Sequence, residues 1–95
     1  MTEAREIRVK RLHMRSIRRG IKEMDLILGA FAAEALPELT DAELDLYEQL
    51  LEENDHDLYA WVSGAKAEPE AYAELLARIR SGAVGVAAAP STAPN

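Results

Sequence analysis

Lys22-Glu23-Met24-Asp25-Leu26-Ile27-Leu28-Gly29-Ala30-Phe31 decides the fold class. Met24, Ile27, Leu28 and Phe31 recur at i, i+3, i+4 and i+7, which puts four large apolar side chains on one stripe of an α-helix. Glu23 and Asp25 fall in the first turn, where the helix dipole favours acid, and Pro37 ends the segment. The spacing therefore predicts a core helix from about residue 22 to 36.

The same period extends in both directions. Upstream, Ile7, Val9, Leu12, Met14 and Ile17 are thinly spread among bases, predicting a first helix over about 4–18. Gly20 closes it, since glycine takes positive φ at little cost. Downstream, Thr40-Asp41-Ala42-Glu43 has the form of a capping box and opens a third helix buried through Leu44, Tyr47, Leu50 and Leu51. A short fourth helix over Asp55 to Ser63 is capped by Asn54 or Asp55 and stopped by Gly64. It turns Leu58, Trp61 and Val62 inward, so Trp61 reads as packing. A fifth starts near Pro69, uses Tyr72, Leu75, Leu76 and Ile79, and is expected to stop at Gly82. No period-two run suggests a strand. The expectation is an all-α, compact, single-domain five-helix bundle with short loops over residues 1–82, neighbours packed antiparallel. Residues 83–95 lack charge and large side chains and read as a disordered tail.

Charge is segregated. Residues 1–24 hold eight bases against three acids, and residues 25–95 hold three bases against fourteen acids. Two readings are open: ordinary charged helix surface, or a basic end that docks on something acidic. Nucleic acid is disfavoured, because no aromatics are interleaved with the bases and the rest of the chain is anionic. Membrane insertion is disfavoured as well, since no apolar run approaches about 20 residues. With no cysteine and no secretory apolar stretch, the reading is cytoplasmic.

Catalytic chemistry finds little purchase. The five glycines form no phosphate loop, His13 and His56 lie in no metal-ligand spacing, and no serine has activating neighbours. No cofactor or metal site is expected, and the chain reads as a protein-binding module and not an enzyme.

The informative stretch is Arg18-Arg19-Gly20-Ile21-Lys22-Glu23-Met24-Asp25, a helix–break–helix corner with bases before the break and acids after it. Ordinary capping accounts for each residue type. The Arg19-Gly20-x-x-Glu23 pattern also resembles the signature of the succinate dehydrogenase assembly factor 2 family (the RGxxE motif). Lys22-Glu23-Met24-Asp25-Leu26 with Phe31 is similar to that family's second helix. Leu50-Leu51-Glu52-x-x-Asp55-x-Asp57-Leu58-x-x-Trp61 is similar to its acidic turn and fourth helix. The likeness covers about residues 8–80.

The resemblance implies a five-helix chaperone without catalysis of its own. It would bind the flavoprotein subunit of succinate dehydrogenase, with fumarate reductase as a further bacterial client, and promote covalent attachment of FAD to that partner while binding no cofactor itself. It implies a partner-binding set of Arg18, Arg19, Gly20, Glu23, Asp25 and Asp57. In that reading Arg19 offers its planar fork to a partner carboxylate, Gly20 permits close backbone approach, and Glu23 meets a partner base or braces Arg19. Arg19→Ala, Gly20→Arg and Glu23→Ala are then expected to keep the fold and weaken the complex. A generic adaptor or antitoxin-like module using the same basic corner is the alternative.

Overall fold

Short-range rules place the helix ends well. In a computed structural model, which describes residues 3–87 and the side chains as far as Gly82, Thr40 Oγ1 accepts from the Glu43 N–H at 3.1 Å. Glu43 Oε1 returns the contact to the Thr40 N–H at 2.8 Å, completing the capping box. Asn54 caps the next helix through the His56 N–H at 2.8 Å, and Gly64 ends it at φ +84°. The elements are α1 (Arg5–Ser16), α2 (Lys22–Ala35), α3 (Asp41–Leu50), α4 (Asp55–Ser63) and α5 (Ala73–Ala87). Single 3-10 turns at Leu36–Glu38 and Glu70–Tyr72 precede α3 and α5. There is no strand among the described residues, and the chain forms the expected all-α five-helix globule.

Two boundaries differ from expectation. The start placed at Pro69 is a 3-10 turn, and α5 proper begins at Ala73. At the other end α5 runs through Gly82 to Ala87. Glycine inside a helix costs about 1 kcal/mol relative to alanine but does not force a stop. The expected tail beyond residue 87 lies outside the described residues.

The core forms around α2, which packs against α1, α4 and α5. Met24, Leu28, Leu12, Leu36, Leu44, Leu50, Leu58, Leu76 and Ile79 are fully buried. Each such side chain contributes about 1.5–3 kcal/mol of transfer free energy. Phe31 and Tyr47 rings lie 5.6 Å apart, and Trp61 packs on Tyr72 at 6.0 Å, giving Trp61 the core role expected of it.

One polar pair is sealed inside. Ser16 Oγ donates to the Leu12 carbonyl at 2.7 Å, so the Tyr47 hydroxyl donates to Ser16 Oγ at 2.6 Å. Burial pushes the Tyr47 hydroxyl up to about 12, with the Ser16 hydrogen bond opposing. Ser16→Ala removes the acceptor and strands a buried hydroxyl, at a cost of about 1–3 kcal/mol. Thermal melts should show that loss, and adding Tyr47→Phe should recover part of it.

The charge segregation resolves within the chain. Arg5 pairs with Asp41 at 2.7 Å and Arg8 with Asp45 at 2.6 Å and Glu48 at 3.0 Å. Arg11 meets Glu48 at 3.0 Å and Arg15 meets Glu52 at 2.8 Å. Both partners of each pair advance together along the chain, so α1 and α3 lie side by side in the same direction, joined by a ladder of guanidinium–carboxylate rungs. Most of α1's bases thus dock on the chain's own acids. The outer rungs are solvent-exposed, and each is worth at most about 1 kcal/mol.

The ladder has a pH signature. The Arg11 hydrogen bond, then the Arg8 one, holds the Glu48 carboxyl below its ordinary value of 4.5 against the opposing cost of burial; Arg11 does the same for Glu3. A carboxyl lowered in the folded state stabilises the fold above its unfolded pKa and loses that contribution as pH falls through the folded one. Stability should therefore decline as pH drops below about 4.5, and Glu48→Gln should flatten that decline in melts recorded against pH.

Candidate functional site: the corner between the first two helices

α1 ends because the chain turns. The Ile17 N–H still reaches the His13 carbonyl at 3.3 Å and the Arg18 N–H the Arg15 carbonyl at 3.4 Å, and Gly20 then takes φ +98°. A Cβ at Gly20 would meet nothing within 4 Å, so the glycine is required by backbone conformation and not by crowding. After this reversal Arg19 presents its N–H to Asp25 Oδ1 at 2.7 Å, which ties the corner to the first turns of α2.

The Arg19 side chain runs inward. Its Nε donates to Asp55 Oδ1 at 2.6 Å, one Nη to the Leu51 carbonyl, and the other to the Glu53 carbonyl at 2.7 Å. Only 10% of the side chain is exposed. The guanidinium therefore closes the C-terminal end of α3, where backbone carbonyls lack helical partners, and also pairs with the first residue of α4. It is the last and most enclosed rung of the α1–α3 ladder. The expected outward fork is thus turned in, because a carboxylate and two carbonyls of the same chain already fill the donor geometry that a partner carboxylate would use.

The remaining expected site residues divide. Arg18, Gly20 and Glu23 are exposed, and neither Arg18 nor Glu23 makes a side-chain hydrogen bond or ion pair among the described residues. Glu23 does not brace Arg19; Asp25 does. Asp57 stands apart. It follows Asp55 by two residues, about 200° around α4, and its carboxylate pairs with Lys66 Nζ at 3.3 Å. Sequence reasoning missed Asp55 as the anchor of Arg19. A usable signal was present: Arg5, Arg8, Arg11, Arg15 and Arg19 step with the same helical period as Asp41, Asp45, Glu48, Glu52 and Asp55. It also missed Gly29, where a Cβ would stand 2.8 Å from Ile17 Cγ2, so that the end of α1 seats closely on α2.

No cluster of three or more His, Asp or Glu suited to a metal occurs among the described residues, and no described helix is long and apolar enough to cross a membrane. At the corner an exposed base and an exposed acid flank a glycine, on a backbone held from inside by Arg19 and Asp25.

Comparison with known proteins places the chain in a family. A family model described as the flavinator of succinate dehydrogenase matches residues 10–83. The chain is 42% identical over 72 residues to the mitochondrial succinate dehydrogenase assembly factor 2 of Mycosarcoma maydis, spanning 76% of this chain and 30% of that protein. It is 49% identical over 61 residues to its namesake in Scheffersomyces stipitis, spanning 64% and 41%. With the FAD assembly factor SdhE of Legionella pneumophila it shares 38% identity over 64 residues, 67% of this chain and 81% of that one. The chain thus spans less than half the length of these two mitochondrial relatives and most of the bacterial one. Two sequence blocks that meet in space through Arg19 and Asp55 lie inside the matched region, and the chain belongs to the succinate dehydrogenase flavinator family.

Proposed function

We propose that this chain is an assembly factor that binds the flavoprotein subunit of succinate dehydrogenase and promotes covalent attachment of FAD to it. The observation that carries the reading is the exposed Arg18–Gly20–Glu23 corner, whose backbone is fixed from within by Arg19 and Asp25. Family membership and the names of the relatives support it. The chain contributes no bond-making group. It raises the population of the client conformer competent for flavin attachment, which requires only that it bind that conformer more tightly than the others. FAD stays with the client, and the client and this chain meet in the cytoplasm. Fumarate reductase, which shares the chemistry, is a second client.

Within this proposal Arg18 and Glu23 contact the partner, Gly20 shapes the turn, and Arg19 and Asp25 are positioning residues. The test is in-gel flavin fluorescence of the dehydrogenase subunit in cells with and without the gene. Fluorescence should fall sharply on deletion and return with the wild-type chain. Equal fluorescence in both strains overturns the reading.

A further inference from the structure

Most cations of this chain are spent internally. Among the described residues Arg5, Arg8, Arg11, Arg15, Arg19, Lys66, Arg78 and Arg80 each pair with a carboxylate. Lys10, Arg18 and Lys22 make no such pair, and all three lie on α1, the corner or the start of α2. The large exposed apolar side chains gather in the same place: Ile7 (59% exposed), Met14 (44%), Ile17 (40%) and Leu26 (54%), with Tyr59 on α4 the exception.

These residues form one band. Ile7, Lys10 and Met14 follow i, i+3, i+7 on the side of α1 away from the core residues Leu12 and Ser16. Ile17 continues the band and seats against Gly29, and Leu26 lies one turn before Gly29 on α2. Beside Met14 a shallow depression of about 510 Å³ is lined by Arg11, Arg15, Arg18 and Arg19. Helix α1 is thus two-sided: its arginines reach the acids of α3 and of the turn after it. Ile7, Met14 and Lys10, with Glu6 one turn before Lys10, face outward, and Arg18 continues that face toward the corner, on a chain whose net charge is −6.

We infer that the client-binding surface extends beyond the corner along the outer face of α1 as far as Ile7, and that its occupant is an acidic amphipathic segment of the flavoprotein. Charge complementarity and continuity with the corner through Arg18 select that occupant. The inference rests on the proposed function. Apolar contacts at Ile7 and Met14 supply affinity, and Lys10 and Arg18 steer the acidic segment and fix its register.

The test measures binding of the purified full chain to the purified flavoprotein subunit of succinate dehydrogenase at about 50 and 300 mM salt, where screening differs strongly. Ile7→Gln/Met14→Gln should weaken binding at least tenfold with unchanged helicity and Tm. Lys10→Glu should weaken it and reduce its salt dependence, and the control Tyr59→Ser should bind as wild type. If the α1 variants bind normally while Glu23→Ala is impaired, the surface ends at the corner and this inference fails while the functional reading stands. If the wild-type chain does not bind the flavoprotein, the reading falls and the inference with it. Self-association in sedimentation, or capture by anionic phosphatidylglycerol vesicles, that the α1 double variant abolishes while flavoprotein binding persists would assign the band to another occupant and overturn the inference.

Discussion

Arg19→Ala should lower the melting temperature by more than 10 °C. The substitution deletes the Nε contact to Asp55 and the two donors that close the Leu51 and Glu53 carbonyls. Asp55, with 22% of its side chain exposed, is left a partly buried carboxylate without its partner. Removing one member of an enclosed charged pair typically costs about 3 kcal/mol or more, and 1 kcal/mol shifts Tm by roughly 4–8 °C in a domain of this size. Arg19→Lys should recover only part of the loss, since one ammonium cannot span three acceptors lying in the plane of a guanidinium. The sequence alone led to the opposite expectation, an intact fold with a weakened complex. A melt of Arg19→Ala indistinguishable from wild type would show that the inward contacts carry no stability.

Glu23→Ala should separate binding from folding. Glu23 sits exposed in the first turn of α2 and touches no other side chain through a hydrogen bond or ion pair among the described residues. Its loss forfeits a favourable dipole contact of about 0.3–1 kcal/mol, so Tm should move by a few degrees at most. Binding to the flavoprotein subunit should fall by about 2–5 kcal/mol, the usual cost of truncating one side of a charged contact that becomes desolvated in the complex. Arg18→Ala should behave in the same way. Under the proposed function the two experiments sort the corner into parts: Arg18 and Glu23 as contacts to the client, and Arg19 as the residue that holds the corner in place. Titration calorimetry beside thermal melts reads both quantities on the same preparations. A Glu23→Ala chain with wild-type affinity would remove the corner from the contact surface.

The ladder explains why Arg18 and Arg19, adjacent in sequence, are assigned different work. Each arginine of the ladder is spaced to follow α1 past the acids of α3. Arg19 lies beyond the helical end of α1, where the Gly20 turn still brings it back to Asp55. Arg18, spaced three residues from Arg15 and seven from Arg11, finds no acid within ion-pair reach among the described residues and stays in solvent. Function in this reading depends on a structural contact one residue away, so loss of Arg19 in cells would abolish client maturation by destabilising the corner, with no direct contact needed.

Much of the architecture was legible in the residues themselves. The Met24–Phe31 stripe, the Thr40–Glu43 box, the Asn54 cap and the Gly64 stop are determined within one or two turns of chain, and such interactions are set by backbone geometry that any helix shares. The signature around Gly20 was readable as a corner for the same reason. Tertiary structure alone decided the direction of Arg19, the pairing of α1 with α3, the seat of Ile17 on Gly29 and the separation of Asp57 from the corner. Those contacts join residues far apart in the chain, and a guanidinium accepts any oxygen set of the right shape. Its choice between a partner and its own helix ends was settled by which oxygens the folded chain brought within reach.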